Sequence, residues 1–283
     1  MDDRKIEALL TTVKTGSFSK AAEELSCTQS AVTQMMNTLE DELGVKILQR
    51  SHNGVRLTEQ GEQLYPNILE CYRSMLRLKH NATVLFKGKD KPLRIGAFSS
   101  ISNSLLSSAI LDYLNENPET SINLTIATGT LEKMLLDGEL DLIICDVDII
   151  TASRWTELML DQYYAVFPSN TAPENKEYVT IEELLKYPIL IPTLNDVNPY
   201  LKKANHLIDI QCDDDITVLN FVAKGLGATA IPKLSLWSVP ENVTVIPIKP
   251  KITRTIGYSL PNSPREEALK FAAYIEQRVA QGI

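Results

Sequence analysis

The sequence predicts an α/β protein with three parts: a small helical module with a β-hairpin, one long helix, and a C-terminal domain of alternating strands and helices. Two short amphipathic segments joined by a polar turn lie within residues 17–36. Apolar residues recur every three or four positions over residues 64–86, which is the periodicity of a helix. After residue 92, β-branched runs alternate with helical patterns, which is typical of an α/β fold.

The N-terminal module begins with two short helices that can cross closely. The first carries Ala21, Ala22 and Leu25 on one side, and the small alanines leave room for a second helix. Thr28 offers a side-chain oxygen where free backbone N–H groups at the start of that second helix need an acceptor. The second helix directs short polar side chains outward, at Gln29, Ser30, Thr33 and Gln34. Such side chains suit base edges and phosphates in a major groove of DNA.

A β-hairpin wing follows the second helix and completes a winged helix-turn-helix over residues 1–58. Gly44 ends the helix, because glycine tolerates the left-handed conformation of a helix stop. Residues 51–54 read Ser-His-Asn-Gly, and Asn-Gly is typical of a tight hairpin turn. Arginines flank the tip, where they can bind phosphates. We expect ten residues to contact DNA: Ser17, Lys20, Thr28, Gln29, Ser30, Thr33, Gln34, Arg50, Asn53 and Arg56.

This stretch closely resembles the N-terminal domain of LysR-type transcriptional regulators. The matching residues are Ile6, Leu9, Val13, Gly16-Ser17-Phe18, Ala21-Ala22, Leu25, Gln29-Ser30-Ala31-Val32-Thr33, Leu39-Glu40, Leu43-Gly44, Arg50, Leu57-Thr58 and Gly61. The resemblance implies double-stranded promoter DNA as a partner. One position departs from it, because relatives often carry Arg or Lys where this chain has Gln34. The recognition helix is therefore less cationic than usual, and we expect a different sequence preference.

A linker helix is predicted over residues 59–88. Thr58 is a suitable N-cap, and Glu59 lies near the positive end of the helix dipole. The apolar stripe of this helix is far longer than one small domain needs. It can pack on its own wing or pair with a second copy, and the family resemblance favours dimerisation. A homodimer or homotetramer formed through this helix and the C-terminal domain presents paired recognition helices, which predicts an interrupted dyad operator.

The charge distribution agrees with this division. The net charge is −8, which argues against nucleic acid at first sight. Residues 1–89 hold 12 Lys+Arg and 11 Asp+Glu, whereas the remainder holds 16 and 25, so the acidic excess lies in the C-terminal part. We expect DNA binding to depend on local basic points and dimerisation rather than on a strong basic field.

The same sequence predicts a cytoplasmic protein, nucleoid-associated when bound to DNA, with no membrane partner. No apolar run follows the N-terminus, and no stretch approaches the ~20 apolar residues of a membrane helix. The four cysteines are scattered, which fits a reducing compartment, and the three histidines share no metal spacing with them. We expect no cofactor and no metal. A redox-sensing cysteine stays open, although isolated cysteines are more often buried as small hydrophobes.

The C-terminal part, residues 89–283, resembles the effector domain of the same regulators, which has the two-lobed fold of periplasmic solute-binding proteins. The residues that carry the likeness are 140–144 and 222–232. Strands and helices alternate here, among them predicted helices over 105–115 and 181–186 and a predicted strand over 208–212, and this alternation predicts a mainly parallel sheet. Lobe I is expected over about 89–162 and 248–283, and lobe II over about 163–247. A cleft between two lobes is where a small ligand binds.

The loops that follow strands are the candidate ligand contacts. Hydroxyls and free N–H groups at a helix start bind anions well. By resemblance, three loops border the effector site and contribute Ser99, Ser100, Ser102, Thr128, Thr130, Thr193 and Asn195. The nearby Asp146, Asp148 and Asp213–Asp215 are interpreted as helix caps, with an amine ligand as the alternative. Arg154 is the arginine closest in sequence to the loop after Cys145.

The sequence indicates a ligand-responsive transcriptional regulator and not an enzyme. It shows no Ser–His pairing, phosphate loop or metal cluster, so no catalytic residue is predicted. Lobe closure on a small molecule would shift the paired recognition helices on DNA, provided that the ligand favours one arrangement. Two alternatives remain: a DNA-anchored enzyme or solute-binding module that does not switch, and an architectural protein with an empty pocket.

Overall fold

The computed structural model describes residues 2–51, 54–86, 92–192, 198–210 and 214–282. The chain divides into two compact units, residues 1–87 and residues 88–283. The predicted DNA contact Asn53 and the predicted ligand contacts Thr193 and Asn195 lie outside the described residues.

The first unit contains the two predicted helices, the predicted wing, one preceding helix and the long helix. Its elements are α1 (Asp3–Thr15), α2 (Phe18–Glu24), α3 (Gln29–Leu43), β1 (Leu48–Ser51), β2 (Gly54–Leu57) and α4 (Glu59–Phe86). Thr28 caps α3 by accepting the backbone N–H of Ala31, and Gly44 ends it in the left-handed conformation, at φ 71°. The fully buried side chains of Ile6, Leu9 and Leu39 form the centre of its core.

The second unit is an α/β domain. Its strands are β3 (Leu93–Ala97), β4 (Ile122–Ile126), β5 (Leu142–Asp146), β6 (Arg154–Pro168), β7 (Ile189–Pro192), β8 (Leu207–Ile210), β9 (Thr229–Pro232), β10 (Val243–Pro247) and β11 (Thr253–Leu260). Its α-helices are α5 (Ser99–Ile101), α6 (Ser107–Glu116), α7 (Leu131–Leu136), α8 (Ile181–Leu184), α9 (Asn198–Leu201), α10 (Asp215–Ala223) and α11 (Glu266–Ala280). A π-helical turn, Ser102–Leu106, joins α5 to α6, and 3₁₀ turns cover Val147–Ile149 and Lys233–Trp237.

The expectation of a mainly parallel sheet was wrong. The large sheet has the order β10-β6-β11-β5-β3-β4, with β9 also paired to β6. Only β3 pairs in parallel there, with β4 and β5, whereas every pair that involves β6 or β11 is antiparallel. A separate parallel pair is formed by β7 and β8. The sheet is mixed because β6 and β11 run antiparallel to their neighbours. They lie between the parallel strands β3, β4 and β5 on one side and β10 on the other.

The 15-residue strand β6, which the sequence analysis did not predict, connects the two halves of the domain. Its first part pairs with β11, and its last part pairs with β9 and β10. An apolar cluster that includes Ile95, Ile144 and Phe271 packs on the β3–β5–β11 side, which we call lobe I. A second cluster, which includes Phe167, Ile189 and Ala230, packs beside β7, β9 and β10, which we call lobe II.

Several helices and strands of the second unit begin or end at residues other than those predicted. The first helix of lobe I was predicted over 105–115, but helical structure begins at Ser99, so the predicted Ser99–Ser102 loop is helical. The helix predicted over 181–186 ends at Leu184, where the chain turns into β7. The strand predicted over 208–212 is observed as Leu207–Ile210, and residues 211–213 lie outside the described part.

Candidate nucleic-acid interface and interlobe site

The helix pair α2–α3 is held by small buried side chains and by capped helix starts. Ala21 is fully buried and Ala22 nearly so, which lets the two helices approach closely. The hydroxyl of Ser17 accepts the backbone N–H of Lys20 at 3.4 Å, and that of Thr28 accepts the N–H of Ala31 at 3.2 Å. The predicted DNA contacts Ser17 and Thr28 therefore already serve as N-caps.

The outward face of α3 is polar and open to solvent. Gln29, Ser30 and Gln34 are exposed and Thr33 is half-buried, as expected for a helix whose opposite side supplies the core. Ser19 Oγ donates to Gln29 Oε1 at 3.0 Å, and the hydroxyls of Thr28 and Ser30 lie 2.9 Å apart. The exposed Asn37, which the sequence analysis missed, lines a shallow groove of about 520 Å³ with these residues. Asn37 could have been found from sequence, because it is four residues after Thr33 and both therefore lie on one face of the helix.

The wing is attached to the helical module by backbone and carboxylate contacts. The N–H of Val55 donates to the carbonyl of Gly16 at 2.8 Å. Glu40, buried near the end of α3, accepts the N–H groups of Ile47 at 2.9 Å and Leu48 at 3.0 Å. Burial opposes ionisation of Glu40, but these bonds and Lys46 outweigh it and lower its pKa. The wing is thus held in a defined position beside the recognition helix.

Three exposed cations surround α3. The guanidinium of Arg50 lies over the ring of Phe18, with Cζ 4.5 Å from the ring centroid. Arg56 lies on the other wing strand, opposite Gln49, and Lys20 is exposed on α2. Among the described residues, none of the three cations forms a salt bridge. Several lysines of this unit are paired with carboxylates, as Lys5 is with Glu42 at 2.6 Å.

The long helix α4 packs on its own module with its N-terminal half. Gly61 N–H donates to Thr58 Oγ1 at 2.9 Å, so Thr58 caps the first turn. Ile68 is buried in the core of the unit, and Leu64, Tyr72 and Met75 pack against it. Further along, Leu78 is 69 % exposed. The first half of the helix therefore packs on its own module, whereas pairing of the second half with a second copy stays a prediction.

The predicted ligand contacts have different environments. Ser99 begins α5 and is half-buried, whereas Ser100 and Ser102 are each only 5 % exposed. Thr128 is half-buried, and the exposed Thr130 precedes α7 and donates weakly to Met134 Sδ at 3.9 Å. Of the described hydroxyls in this set, those of Ser100 and Ser102 are therefore the least exposed to solvent.

A buried cluster of charged and hydroxyl groups lies beside α5. Arg254 on β11 donates from Nε to Asp161 Oδ2 and from Nη2 to Ser100 Oγ, both at 3.0 Å. Asp161 Oδ1 accepts the N–H of Leu234 at 3.1 Å, and the nearby Asp215 accepts the hydroxyl of Ser235. Burial raises the pKa of both aspartates, and the Arg254 charge opposes that rise.

Sequence reasoning missed Arg254, although its signal was present. Arg254 and Ile256 share one face of β11 by strand alternation, and the charge therefore occurs at a buried position. Ser102 Oγ, close in sequence to Ser100, is buried and has no hydrogen-bond partner among the residues that the structure describes. The cluster links a helix start of lobe I, the two strands that run between the lobes, and a helix start of lobe II.

Two of the five aspartates that were interpreted as helix caps, with an amine ligand as the alternative, are caps. Asp214 accepts the N–H groups of Ile216 and Thr217, both at 3.1 Å, and Asp146 accepts that of Asp148 at 3.1 Å. Asp215 instead points into the Arg254 cluster, while Asp213 lies outside the described residues. The capping interpretation therefore accounts for Asp146 and Asp214.

A groove of about 670 Å³ opens between the π-helical turn, β6 and the 3₁₀ turn at 233–237. Leu105, Leu160 and Trp237 supply apolar walls, and Asp161 and Lys233 are charged lining residues. None of the described residues of the predicted ligand set lines this groove. Within the described residues, no group of three or more His, Cys, Asp or Glu side chains could hold a metal ion, and no helix could span a membrane.

Comparisons with known proteins extend over nearly the whole chain. Residues 4–62 match the family of bacterial regulatory helix-turn-helix proteins, lysR family, and residues 87–280 match the LysR substrate binding domain. A probable HTH-type transcriptional regulator, LrrA of Synechococcus elongatus, is 28% identical over 285 residues, covering 96% of this chain and 95% of that protein. The activator TtdR of Escherichia coli is 29% identical over 187 residues, covering 65% and 56%.

Solved structures of full-length regulators share the fold. A full-length OxyR variant from Pseudomonas aeruginosa has a TM-score of 0.58 at 24% identity, covering 97% of this chain and 99% of that one. CbnR in complex with its target DNA has a TM-score of 0.59 at 16% identity, covering 99% and 100%. Together, the family matches and these structures confirm the predicted fold class and the resemblance on which it was based.

Proposed function

The chain belongs to the LysR family of transcriptional regulators, with a DNA-binding and an effector-binding domain, and from this premise we propose how its parts act. Residues 1–58 bind operator DNA, residues 59–88 form the linker and dimerisation helix, and residues 89–283 bind the effector. The oligomer recognises an interrupted dyad, and a small molecule that binds between the lobes changes how the oligomer binds DNA.

The exposed polar face of α3 beside three exposed cations carries the DNA-binding proposal. Gln29, Ser30, Thr33 and Gln34 enter the major groove, where short polar side chains contact base edges. Lys20, Arg50 and Arg56 bind phosphates on either side of it, with Asn53 at the tip of the wing. Ser17 and Thr28 act through the helix starts that they cap, because a capped N-terminus still presents other N–H groups to a phosphate.

The effector-binding proposal is supported by the Arg254 cluster. Arg254 lies on one of the two strands that run between the lobes and donates to Ser100 of lobe I. A small molecule that contacts Ser99, Ser100, Ser102, Thr128 or Thr130, together with Thr193 and Asn195, would alter this connection between the lobes. Ligand binding would then favour one lobe arrangement, which is the requirement for a switch.

A regulator that acts on the bacterial chromosome works in the cytoplasm, and we infer that this one is nucleoid-associated while bound. We also propose that it is not an enzyme, since its relatives are regulators. The alternatives are a DNA-anchored enzyme or solute-binding module that does not switch and an architectural protein with an empty pocket. Ligand turnover, or DNA affinity indifferent to every ligand, would favour them.

The test is footprinting of the full chain on its own upstream intergenic DNA, with and without a pool of cytoplasmic metabolites. We expect protection of an interrupted dyad whose extent changes with the pool. Thr130→Val should remove the response to the pool and keep the protection, whereas the matched control Thr120→Val should keep both. Protection that ignores the pool would contradict the switch, and a failed genome-wide binding selection would contradict operator binding.

A further inference from the structure

The recognition helix α3 presents amides and hydroxyls to solvent and no cation. Its sequence, Gln29 to Leu43, contains no Lys, Arg or His. The carboxylates of this helix lie together near its C-terminal end, beyond Thr38. Any base edge that the exposed part of α3 reads must therefore be read by a neutral side chain.

The amides of α3 differ in how much of their hydrogen-bonding capacity is free. The oxygen of Gln29 already accepts from Ser19 Oγ at 3.0 Å, and the hydroxyl of Ser30 is shared with that of Thr28. The side-chain amides of Gln34 and Asn37 are exposed and form no hydrogen bond with any described residue. These two amides are therefore available, as both donor and acceptor, to an incoming base.

Gln34 and Asn37 are neighbours on one face of α3. Residues three positions apart lie side by side on a helix, so both amides belong to the stripe that begins at Ser30. From Ser30 to Asn37 the helix rises about 10 Å, which corresponds to roughly three base-pair steps of duplex DNA. The same residues line the open groove described above. Two adjacent base pairs of one half-site are within the reach of this stripe.

The chemistry of an amide selects one base. A Gln or Asn amide accepts from adenine N6 and donates to adenine N7, so it forms two bonds in the major groove. Guanine presents two acceptors, O6 and N7, which are best matched by Arg or Lys. The exposed cations of this unit lie on elements other than α3, among them Arg4 on α1 and Lys20 on α2, and Arg50 of the wing is held over Phe18. Lys20 and Arg50 are placed for phosphates beside the groove.

We propose that Gln34 and Asn37 are specificity-determining residues that each read an adenine in the major groove, so that two A·T pairs lie in each half-site under this part of α3. The proposal depends on the proposed DNA-binding function of the first unit. It goes beyond that function by naming the bases and the residues that select them. At either position, replacing A·T by G·C should lower the affinity of the wild-type protein about 10- to 100-fold.

The experiment is a selection of binding sites from randomised DNA duplexes by the full-length protein, followed by affinity measurements on single-substituted duplexes. The variants are Gln34→Ala, Asn37→Ala and Gln34→Arg. Gln277→Ala, which removes an exposed helical amide from α11, is the matched control. Circular dichroism checks that each variant keeps its helical content, as expected for exposed positions.

We expect adenine at two positions of each selected half-site. Each alanine variant should lose the preference at one position only, and Gln34→Arg should shift one position towards guanine. A half-site whose preferences stay unchanged in both alanine variants would overturn the inference while leaving DNA binding intact. Selection of no sequence by the wild-type protein would overturn the proposed function, and the inference with it.

Discussion

Arg254 and Asp161 face each other directly across the antiparallel pair β11–β6, and both side chains are almost completely buried. The guanidinium also donates to Ser100, so it is the cation of a cluster that contains a second buried aspartate, Asp215. A buried ion pair is weak evidence for stability, but removing one partner leaves an uncompensated charge. Arg254 therefore connects β6 to the helix start at Ser100 through contacts that water screens little.

Arg254→Met should destabilise the effector domain by about 3 kcal/mol, because Asp161 loses its cation inside the protein. Both tryptophans, Trp155 and Trp237, lie in this domain, so their fluorescence during urea unfolding reports on it selectively. The double variant Arg254→Met/Asp161→Asn should recover part of the loss, since neither charge remains unpaired. Equal unfolding midpoints for the wild type and Arg254→Met would show that the ion pair has no structural role.

Glu132 anchors the loop that leads into β6. Its carboxylate accepts the N–H groups of Thr151, Ala152 and Ser153 at distances of 2.8–3.0 Å. Burial opposes ionisation, but hydrogen bonds from Thr151, Ala152 and Ser153 outweigh it and lower the pKa to about 2. A lowered carboxyl pKa stabilises the folded state above the unfolded value, and this contribution is lost as pH falls towards the folded value.

Glu132→Gln should therefore cost on the order of 3 kcal/mol at pH 7, and the difference from the wild type should shrink as pH falls from about 4.5 towards 2. Urea unfolding followed by tryptophan fluorescence at several pH values measures this difference. Glu139→Gln, which changes an exposed carboxylate of the same lobe, is the control and should have little effect at any pH. A Glu132→Gln penalty that is constant with pH would contradict the assigned pKa.

Gly54 permits the close approach of the wing to the helical module. A Cβ at this position would lie 2.6 Å from the carbonyl oxygen of Gly16, and its φ of 109° disfavours any side chain. Gly54→Ala should destabilise the wing by roughly 3 kcal/mol. Gly44→Ala is the matched control, because its φ is also positive but nothing lies within 4 Å, so it should cost about 1 kcal/mol.

Hydrogen exchange of the wing amides tests this difference. The N–H of Val55, which donates to Gly16, should exchange faster in Gly54→Ala than in Gly44→Ala. The DNA affinity of Gly54→Ala should fall as well, since the wing carries Arg50 and Arg56. If the N–H of Val55 exchanges at the same rate in both glycine variants, steric contact with Gly16 does not determine the position of the wing.

Local signals made the first unit predictable from sequence. The cap at Thr28 and the stop at Gly44 are set by residues next to them, so these local signals located both ends of α3. The effector domain was less predictable, because β6 changes its environment along its length. Its first part mixes exposed and half-buried residues without strict alternation, whereas its last residues are almost all buried, so no single period identified it.

The candidate site shows the same division between local and long-range information. The hydroxyls of Ser99–Ser102 were found because they follow a predicted strand, but their helical conformation was not. Arg254 and Ser100 are 154 positions apart, and only the antiparallel return of β11 to lobe I brings them together. Local information was sufficient for the exposed polar face of α3, which helix periodicity identified. The exception is Asn37, which lies one turn beyond Thr33 on the same face and was missed.

The affinity of the protein for DNA should fall as the salt concentration rises, because cations that bind phosphates release condensed counterions. Each phosphate contact that is removed should reduce the slope of log affinity against log salt by about one. Arg56→Ala and Lys20→Ala should each do so and should weaken binding to all sequences alike, because phosphates carry no sequence information. Lys224→Ala, which removes an exposed cation from the other unit, is the control for net charge and should leave the slope unchanged. If Arg56→Ala instead alters the preference for one base pair, then Arg56 reads a base and the wing lies deeper in a groove than its phosphate role requires.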